Sequence, residues 1–394
     1  MFLSQWIHFA GAEENATNQA SHKEEIIIMK KKATGYLGIL ATPSTKYPPF
    51  PDKSFYAYLT QAGKRIGLPV YVILPTHINF ATKTVIAYRY TAEKKWVKIR
   101  MPFPTLVYDR LSNRKKYETQ IKGLKSISSI TFLGHVLGDK LKNHNHLIQH
   151  PGIAAHMPPT ELVTSMKVVR NMLDEYKAII VKPMRNSLGI GVMKVTSKDN
   201  IHRVDGRDFK NKIFHRKFSN RSSLLFWLQN QFKAKMIAQP YLELHTPDGV
   251  PFDIRVLVQK GSGGEWGESG RAVRAGVAEG LTSNLCGGGK AYTCEPFLRQ
   301  FFSEEQLIHI RREIDFIIKE LPPFLESRHG RLVELGIDIG IDLSGKVWLI
   351  EVNSKPGRAS FRKIEDGKYR RDVQLNPLRY AYYLAQYRKK AATS

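Results

Sequence analysis

The sequence predicts a mixed α/β protein with more than one domain, and three observations support this. The chain has 394 residues, of which 42% are hydrophobic and 24% charged, so it is long enough for two or three domains with cores of their own. Near its start, a strand at residues 35–41, a helix at 54–66 and a strand at 70–74 form a β-loop-α-β unit. Near its end, residues 336–357 have the pattern of a β-hairpin with carboxylates on one face.

Charge and cysteine content narrow the classes of partner. Lys and Arg total 61 against 35 Asp and Glu, and the resulting net charge of +26 favours anionic partners. Nucleic acid is not expected as the main ligand, because no zinc-finger or RNA-recognition spacing is present and the basic residues are spread along the chain. Two cysteines, Cys286 and Cys294, exclude a disulfide framework and suit a reducing compartment such as the cytoplasm. No apolar run is long enough to cross a membrane, so no membrane partner is expected.

Residues 1–32 are expected to form a tail outside the fold. The first ten residues are mildly apolar but lack a basic leader, and residues 11–25 are polar and irregular. Met29, followed by three lysines, is an alternative start of translation. We therefore expect the first ordered element to be the strand at 35–41.

The hairpin at residues 336–357 is the starting point for predicting a binding site. If Ser344 and Gly345 form a two-residue turn, Leu343 pairs with Lys346, and counting outwards places Asp338 opposite Glu351. Like charges that face each other across strands destabilise a sheet, and a bound cation would remove this repulsion. The simpler alternative to a cation site is an acidic hairpin edge that is open to water. Asn353 is predicted to point to the same face, because side chains alternate along a strand.

Oxygen ligands of this kind suit a hard divalent cation. Mg²⁺ commonly takes one or two carboxylates and completes its shell with water and nucleotide phosphates. The hairpin therefore predicts a cation, Mg²⁺ or Mn²⁺, bound together with a phosphate compound. The candidate metal ligands are Asp338, Glu351 and Asn353.

A second phosphate signal lies in the middle of the chain. An apolar strand at residues 178–181 ends in Lys182, and a glycine-bearing loop at 185–191 leads into the next strand. Such a loop lets backbone N–H groups close around phosphate oxygens beside a lysine, although an ordinary hairpin turn fits equally well. Neither the P-loop nor the dinucleotide-binding fingerprint matches, because the loop joins two strands and no Gly-Lys-Ser/Thr follows it.

Several further segments carry polar residues on predicted strands and loops. Alternation on a strand at 252–259 places Asp253 and Arg255 on one face, and a partner strand at 271–278 presents Arg271 or Arg274. The basic stretch at residues 197–221 is expected to be a solvated hairpin face. A strand at 235–244, a glycine loop at 282–289, a helix from 303 to about 320 and a closing helix at about 377–387 complete the pattern.

Taken in order, these motifs resemble the ATP-grasp superfamily of carboxylate–amine ligases. The resemblance rests on Gly-Asp-Lys before a helix at 138–140, on AIIVKPMRNSLGIGV, MIAQPYLEL, PFDIRVLV, TSNLCGGG and LIEVNSKPG. The segments FPTLVYDRLSNR and HPGIAAHMPPTEL resemble more narrowly the endospore coat-associated YheC/YheD family of spore-forming bacteria. The implied fold is an ATP-grasp fold with a small N-terminal α/β domain at residues 33–130, a central lid domain at 131–235 and a C-terminal catalytic domain at 236–394.

The resemblance implies roles for individual residues. Lys140 and Lys182 match the lysines that contact the nucleotide, and the metal ligands match those predicted from the hairpin. Positions that match the lid, the adenine hinge and the ribose acid are Ser187, Gly189, Gly191, Gln239, Tyr241, Leu242 and Asp253. Positions that match residues near the transferred phosphate or the acceptor are Arg255, Arg274 and Asn284.

One departure concerns Gly336, where D-alanine–D-alanine ligases carry an arginine, and this puts a dipeptide-ligase assignment in doubt. A second is Pro240 in the hinge, where an acidic residue is frequent. The implied partners are ATP, an acidic substrate with a carboxylate, and an amine. Three readings stay open: an ATP-dependent ligase, an ATP-grasp kinase of an anionic metabolite, and a structural spore-coat protein that retains the fold.

Overall fold

The computed structural model describes residues 35–393 except 139, 185–189, 233, 278–279, 281–282, 284–287, 363 and 365–366. The predicted tail and much of both predicted glycine loops lie outside these described residues. Within them, the strands form three sheets of six, six and five strands. The sheets follow one another along the chain, with strands at 37–132, 161–240 and 252–353. The domain boundaries at 130 and 235 stay predictions, and a short strand of the preceding sheet lies just beyond each.

The first sheet contains the predicted β-loop-α-β unit. Its strands are β1 (Leu37–Leu40), β2 (Val70–Asn79), β3 (Thr84–Tyr90), β4 (Trp96–Pro102), β5 (Leu106–Asp109) and β6 (Thr131–Phe132). Strand β1 pairs in parallel with β2 and β5, and β5 pairs in parallel with β6. Helix α1 (Lys53–Arg65) makes the crossover, since its apolar face buries Phe55, Tyr56 and Leu59. A second helix, α2 (Glu118–Lys125), precedes β6.

The second sheet is antiparallel throughout. Two helices, α3 (Lys140–Leu147) and α4 (Pro151–Ala154), come before its strands β7 (Glu161–Leu162), β8 (Ala178–Pro183), β9 (Met193–Lys198), β10 (Ile201–Arg207), β11 (Ile213–Phe218) and β12 (Met236–Pro240). Helices α5 (Met166–Tyr176) and α6 (Arg221–Gln231) bury Val169, Leu173 and Leu224 in the core beside it. The basic stretch at 197–221 forms the β10–β11 hairpin, and the predicted strand at 235–244 ends at Pro240.

The third sheet has the order β15-β14-β13-β16-β17. Its strands are β13 (Phe252–Lys260), β14 (Trp266–Ala275), β15 (Lys290–Tyr292), β16 (Glu334–Ile341) and β17 (Val347–Asn353). The helices in this part of the chain are α7 (Cys294–Leu298), α8 (Glu304–His329), α9 (Ala359–Arg362) and α10 (Gly367–Thr393). Helix α8 begins at the capping box of Ser303 and Gln306 and runs nine residues past its predicted end at about 320. Buried Leu321 and Leu325 keep its last turns packed against this sheet.

The turn of the β16–β17 hairpin differs from the sequence prediction. The loop closes at Asp342 and Lys346, where the Asp342 N–H donates to the Lys346 carbonyl over 3.1 Å. One carboxylate oxygen of Asp342 also accepts the backbone N–H groups of Ser344 and Lys346. Leu343 therefore lies inside the loop, and its predicted pairing with Lys346 is wrong. The last loop residue, Gly345, takes a φ of 87°, which glycine adopts without strain.

A bulge restores the predicted register further along the hairpin. Ile339 pairs with Leu349 and Asp338 pairs with Glu351, so Ile350 is an extra residue on β17. The longer turn shifts the pairing by one residue, and the bulge shifts it back. The prediction that Asp338 faces Glu351 is thus confirmed, although the turn that was used to derive it is wrong.

Helix α10 belongs to the core of the first sheet. Its buried Leu378, Tyr380 and Ala381 pack with Leu37 and Leu59. In the described part of the chain, no helix combines the length and the apolar run that a bilayer-spanning helix needs. The two ends of the described part of the chain thus share one hydrophobic core.

Candidate nucleotide site

Two aspartates and two arginines form an ion-pair network on one face of the third sheet. Arg255 on β13 lies opposite Asp338 on β16, and Arg274 on β14 lies opposite Asp253 on β13. Arg255 donates from Nε and Nη2 to the two carboxylate oxygens of Asp338, over 2.5 and 2.9 Å. Arg274 binds Asp253 through two hydrogen bonds and lies 3.2 Å from Asp338. Arg255 and Arg274 therefore contact the predicted metal ligand Asp338, and Asp253 joins the network through Arg274.

The network balances its own charge inside the protein. Arg255, Arg274 and Asp338 expose only 7–8% of their surface. Burial raises the pKa of Asp338, but the guanidinium groups of Arg255 and Arg274 outweigh it and hold that pKa below its ordinary value. The two guanidinium groups offset the charge of Asp338, which reduces the expected repulsion from Glu351.

Gly336 is the position where the resemblance leads one to expect an arginine. A Cβ there would stand 2.6 Å from the Cβ of Pro356, so no side chain fits without a shift of that ring. It would also stand 3.5 Å from Nη1 of Arg255. A guanidinium group therefore does lie over this position, and it comes from the neighbouring strand.

A cleft opens between the second sheet and the end of the hairpin. It encloses about 470 Å³ including its open mouth. Polar residues that line it are Lys140, Asn143, His144, Thr160, Lys182, Gln239 and Glu351, and apolar ones are Leu147, Met157, Ile237, Leu349, Ile350 and Val352. Four predicted site residues, Lys140, Lys182, Gln239 and Glu351, thus share one cavity although they are up to 211 positions apart in the chain.

The lysines of the cleft are held in an electropositive pocket. Lys140 begins α3 and places Nζ 3.4 Å from a carboxylate oxygen of Glu351. Lys182 exposes 9% of its surface at the end of β8. Burial, and then the charge of Lys140, lower the pKa of Lys182 to about 8, against an opposing effect of Glu351. A buried ammonium group beside another lysine suits an anionic ligand, which would provide the missing negative charge.

The predicted hinge lies at the end of β12. Gln239 lines the cleft and donates from Nε2 to Oγ1 of Thr160 over 2.7 Å. Tyr241 and Leu242 follow the strand and are half-buried, and they do not line the cleft in the described residues. The ammonium group of Lys194 lies 3.3 Å from the centre of the Tyr241 ring. Of the hinge residues, only Gln239 therefore faces the cavity.

The glycine loops are covered only in part. Ser187, Gly189 and Asn284 lie outside the described residues, and their predicted roles stay predictions. Gly191 is described, with a φ of 75° and a hypothetical Cβ 2.9 Å from the Pro183 ring. Glycine is required there by the turn back toward the end of β8.

Sequence reasoning missed Asn143, His144 and Thr160. Asn143 and His144 follow Lys140 by three and four residues on α3, which is the spacing of one helix face. This periodicity was a usable signal for both residues. Thr160 lies in an irregular segment before β7 and gave no such signal. Burial and the charge of Lys182 lower the pKa of His144, so the imidazole is neutral and suited to hydrogen bonding.

The donor set fits a cation that shares its ligands with a phosphate group. Glu351 and Asn353 lie two residues apart on the half-buried face of β17 and offer hard oxygen donors. Among the described residues, no group of three or more His, Cys, Asp or Glu side chains is placed to hold a metal ion. A cation here would therefore depend on oxygen atoms from the bound ligand. Asp338 would contribute only in exchange for a guanidinium contact, so its role as a metal ligand stays a prediction.

Comparison with known proteins gives consistent matches. The model of a protein family described as YheC/D-like ATP-grasp matches residues 129–384. The endospore coat-associated protein YheC of Bacillus subtilis (strain 168) is 30% identical over 342 residues, which is 84% of this chain and 93% of YheC. The endospore coat-associated protein YheD of the same organism is 27% identical over 354 residues, covering 88% of this chain and 77% of YheD.

Solved structures share the fold at low sequence identity. The D-cycloserine synthetase DcsG matches with a TM-score of 0.51 and 16% identity, over 89% of this chain and 99% of its own. The D-alanyl-alanine synthetase A of Vibrio cholerae O1 biovar eltor matches with a TM-score of 0.52 and 11% identity, over 90% and 98%. At these identities the likeness is one of fold alone.

Proposed function

The chain belongs to the YheC/D-like family of ATP-grasp proteins, and from this premise we propose that it is an ATP-dependent ligase that joins a carboxylic acid to an amine. The observation that carries the proposal is the cleft in which Lys140, the buried Lys182 and Glu351 converge. Two cations beside a carboxylate that faces an ion-pair network form a site for a metal-bound polyphosphate. The synthetase activities named for the solved structures of the same fold support this choice of reaction class.

In this proposal one side of the cleft binds the phosphates of the nucleotide and the other side binds its adenine ring. Lys140 and Lys182 bind the phosphate oxygens as point charges. The apolar wall that includes Met157, Ile237 and Leu349 takes the adenine ring, next to the strand that ends the hinge. Gln239 is held in place by Thr160 and positions its backbone at the base.

The metal would be held at the end of the hairpin. Glu351 and Asn353 would hold Mg²⁺ or Mn²⁺ there, with Asp338 as the further predicted ligand. When bound, such a cation supplies positive charge to the phosphate oxygens of ATP and to the transferred group. Lys140 lies 3.4 Å from Glu351 and would then turn from that carboxylate toward the phosphates.

The reaction would be a phosphoryl transfer that needs no nucleophile from the protein. An oxygen of the substrate carboxylate attacks the γ-phosphorus, the bond to ADP breaks, and an acylphosphate forms. An amine then attacks the acyl carbon and phosphate leaves, so that ATP, acid and amine yield ADP, phosphate and an amide. Arg255 and Arg274, held by Asp338 and Asp253, would offer positioned N–H donors beside the transfer. The lid at 185–191 would exclude water from the acylphosphate.

The test is a screen of the purified protein for ADP release. Amino acids, acidic peptides and amines are supplied singly and in pairs, and products are identified by mass spectrometry. A ligase releases ADP in step with amide formation only when acid and amine are both present. A stable phosphorylated product would show a kinase instead, and the absence of ADP release with every pair would leave a scaffold that retains the fold.

Variants tie any activity to the cleft. Lys182→Met should reduce ADP release by roughly 30- to 1,000-fold, whereas Lys198→Met on the exposed end of β9 should leave it unchanged. Equal activity in both variants would place the chemistry elsewhere.

The names of the curated relatives extend the proposal to location. Both are called endospore coat-associated, and we propose the same association for this protein. Fractionation of spores from the source organism, with detection of the chain in coat extracts against the mother-cell lysate, tests it. Recovery in the lysate alone would reject the association.

A further inference from the structure

A second cavity lies between the first and third sheets, away from the nucleotide cleft. It opens where the N-terminus of α1 lies near α9 and α10, and it encloses about 740 Å³ including its mouth. Its polar lining includes Asp52, Ser54, Arg110, Arg358, Arg362 and Gln374. Nothing in the proposed nucleotide site uses these residues.

Two buried arginines of this cavity share a single carboxylate. Nη1 of Arg110 lies 2.8 Å from one oxygen of Glu334, and Nη2 of Arg358 lies 2.5 Å from the other. The side chain of Glu334 is fully buried and those of both arginines expose 7%. Tyr108 also donates to Glu334, over 2.5 Å, and carries no charge. One negative charge thus faces two positive ones, and the cluster has a net charge of +1 inside the protein.

One donor of this cluster has no use within the described protein. Arg358 donates from Nε to the Val373 carbonyl and from Nη2 to Glu334 and Tyr108. Its buried Nη1 has no hydrogen-bond partner among the described residues. A buried donor without a partner destabilises the folded state. Arg358 lines the cavity, so a ligand bound there is the candidate acceptor for this hydrogen bond.

Helix α1 adds a second anion-favouring feature to the same cavity. The helix has 13 residues, and the side chain of Asp52 at its N-cap forms no capping hydrogen bond. Ser54, in the first turn of α1, lines the cavity, and this end of the helix carries the positive end of the helix dipole. The ring of Phe55 lies 4.2 Å from the Arg358 guanidinium and keeps that group flat against the wall.

We propose that this cavity binds a carboxylate of the acid substrate, at a distance from the carboxylate that is activated. The inference rests on the proposed ligase function, because it assigns this cavity to the same substrate. The surplus of one charge matches a singly charged carboxylate better than a doubly charged phosphate. A guanidinium group with an unused N–H gives a carboxylate the geometry it needs.

The distance between this cavity and the ion-pair network at Asp338 sets a minimum length for that substrate. Glu334 and Asp338 lie on the same face of β16, four residues apart, which corresponds to about 13 Å. A carboxylate bound beside Arg358 therefore belongs to a molecule with a second acidic group well removed from the new bond. A short acidic peptide has this length, since an extended chain spans roughly 3.3 Å per residue.

Binding of matched peptides to the ATP-free protein tests the assignment. The probes are acetyl-Glu-Ala-Ala-Ala with a free carboxyl terminus, which carries two separated carboxylates, the same peptide as its C-terminal amide, and inorganic phosphate, each titrated by calorimetry. The free acid should bind at least about tenfold more tightly than the amide, since one charge-assisted hydrogen bond is lost. Equal affinity of acid and amide, or tighter binding of phosphate, would overturn the proposal.

Variants that leave the Glu334 cluster intact locate the binding. Ser54→Asp places a carboxylate at the mouth of the cavity and at a helix N-terminus, where the fold tolerates it. It should weaken the free acid by at least about tenfold, whereas Asp52→Asn should strengthen it by removing a negative charge. Ser222→Asp in the first turn of α6, an exposed serine in a matching helical position, should change nothing. Unaltered binding in Ser54→Asp would reject this cavity.

Failure of the ligase proposal has a separate signature. Acid-selective binding that depends on Ser54, with no ADP release from any acid and amine pair, would reject the ligase and keep the carboxylate site. ADP release with amide formation in wild type and in Ser54→Asp alike, with no acid-selective binding, would reject the site and keep the ligase.

Discussion

Asp338 and Glu351 face each other across the β16–β17 hairpin, yet their carboxylates have different counterions. Asp338 is bound by Arg255 and Arg274, whereas Glu351 lies 3.4 Å from Lys140. Asp338 is buried within a neutral network, and Glu351 is half-buried at the edge of the cleft. We therefore expect the two carboxylates to respond differently to mutation, Asp338 through stability and Glu351 through ligand binding.

Glu351→Gln should remove the dependence of ATP affinity on Mg²⁺. The carboxylate is the accessible hard ligand of the cleft, and its charge is needed to hold a cation beside the phosphates. Calorimetric titration with ATP, in Mg²⁺ and again in EDTA, gives the two affinities for wild type and variant. If EDTA leaves the wild-type affinity as high as Mg²⁺ does, the metal site is refuted.

Asp338→Asn should lower the free energy of unfolding by about 3–5 kcal/mol. The change leaves Arg255 buried without a full counterion, and only Asp253 remains to balance Arg274. Urea denaturation at neutral pH measures the loss. Asp315→Asn serves as the control, because that side chain is 56% exposed and pairs with Arg271 at the surface, where ion pairs contribute under about 1 kcal/mol. A similar small loss in both variants would show that the network is dispensable.

Lys182→Met should keep the fold and reduce ATP turnover by roughly 30- to 1,000-fold, since a charge that stabilises the transferred phosphate is lost. Kinetics of ADP release, once a substrate pair is known, or ATP titration beforehand, measures the effect. Wild-type affinity and turnover in this variant would remove Lys182 from the phosphate site.

The same variant carries a pH signature in the ligand-free protein. The pKa of Lys182 is lowered from 10.5 to about 8 in the folded chain. Below pH 8 the folded state bears a buried charge, so the native lysine destabilises the fold by up to about 3 kcal/mol. Between pH 8 and 10.5 the unfolded chain binds more protons than the folded one, and wild-type stability rises with pH. The melting temperature of Lys182→Met should thus equal or exceed that of wild type at pH 7, and the difference should shrink as the pH rises to 10.5.

A chain that begins at Met29 should melt within a few degrees of the full-length chain. Residues 1–28 lack periodicity and apolar density, so they are expected to add little to the core. Differential scanning calorimetry of both chains tests this. A large drop in melting temperature would show that the tail docks on the folded part.

The fold class was predictable because the motifs lie on successive strands and loops, so their order along the chain follows the order of those elements. The mixed α/β class and its ATP-grasp type are confirmed by the family match and the shared fold of solved structures. Local signals also placed most elements, as at β8, where an apolar run ends in Lys182. Counting along the hairpin placed Asp338 opposite Glu351 correctly only because the bulge at Ile350, which was not predicted, offsets the longer turn.

The parts that escaped prediction depend on contacts between distant strands. Alternation places Asp253 and Arg255 on one face, but it does not show that β13 lies between β14 and β16. Only that order brings Arg255 to Asp338 and Arg274 to Asp253. Likewise, Arg110 and Arg358 both bind Glu334, although Arg110 lies 224 positions before it in the chain. Periodicity within one element contains no information on such pairs.

The packing of α10 against the first sheet has a consequence for synthesis of the chain. Leu378, Tyr380 and Ala381 are buried with Leu37 and Leu59, residues that leave the ribosome more than 300 codons earlier. The N-terminal sheet therefore remains with part of its apolar surface exposed until nearly the whole protein has been made. During translation, which proceeds at about 5–20 residues per second, this surface is a binding site for chaperones. Nascent chains that stop before residue 378 should consequently be held by them, while chains of full length escape.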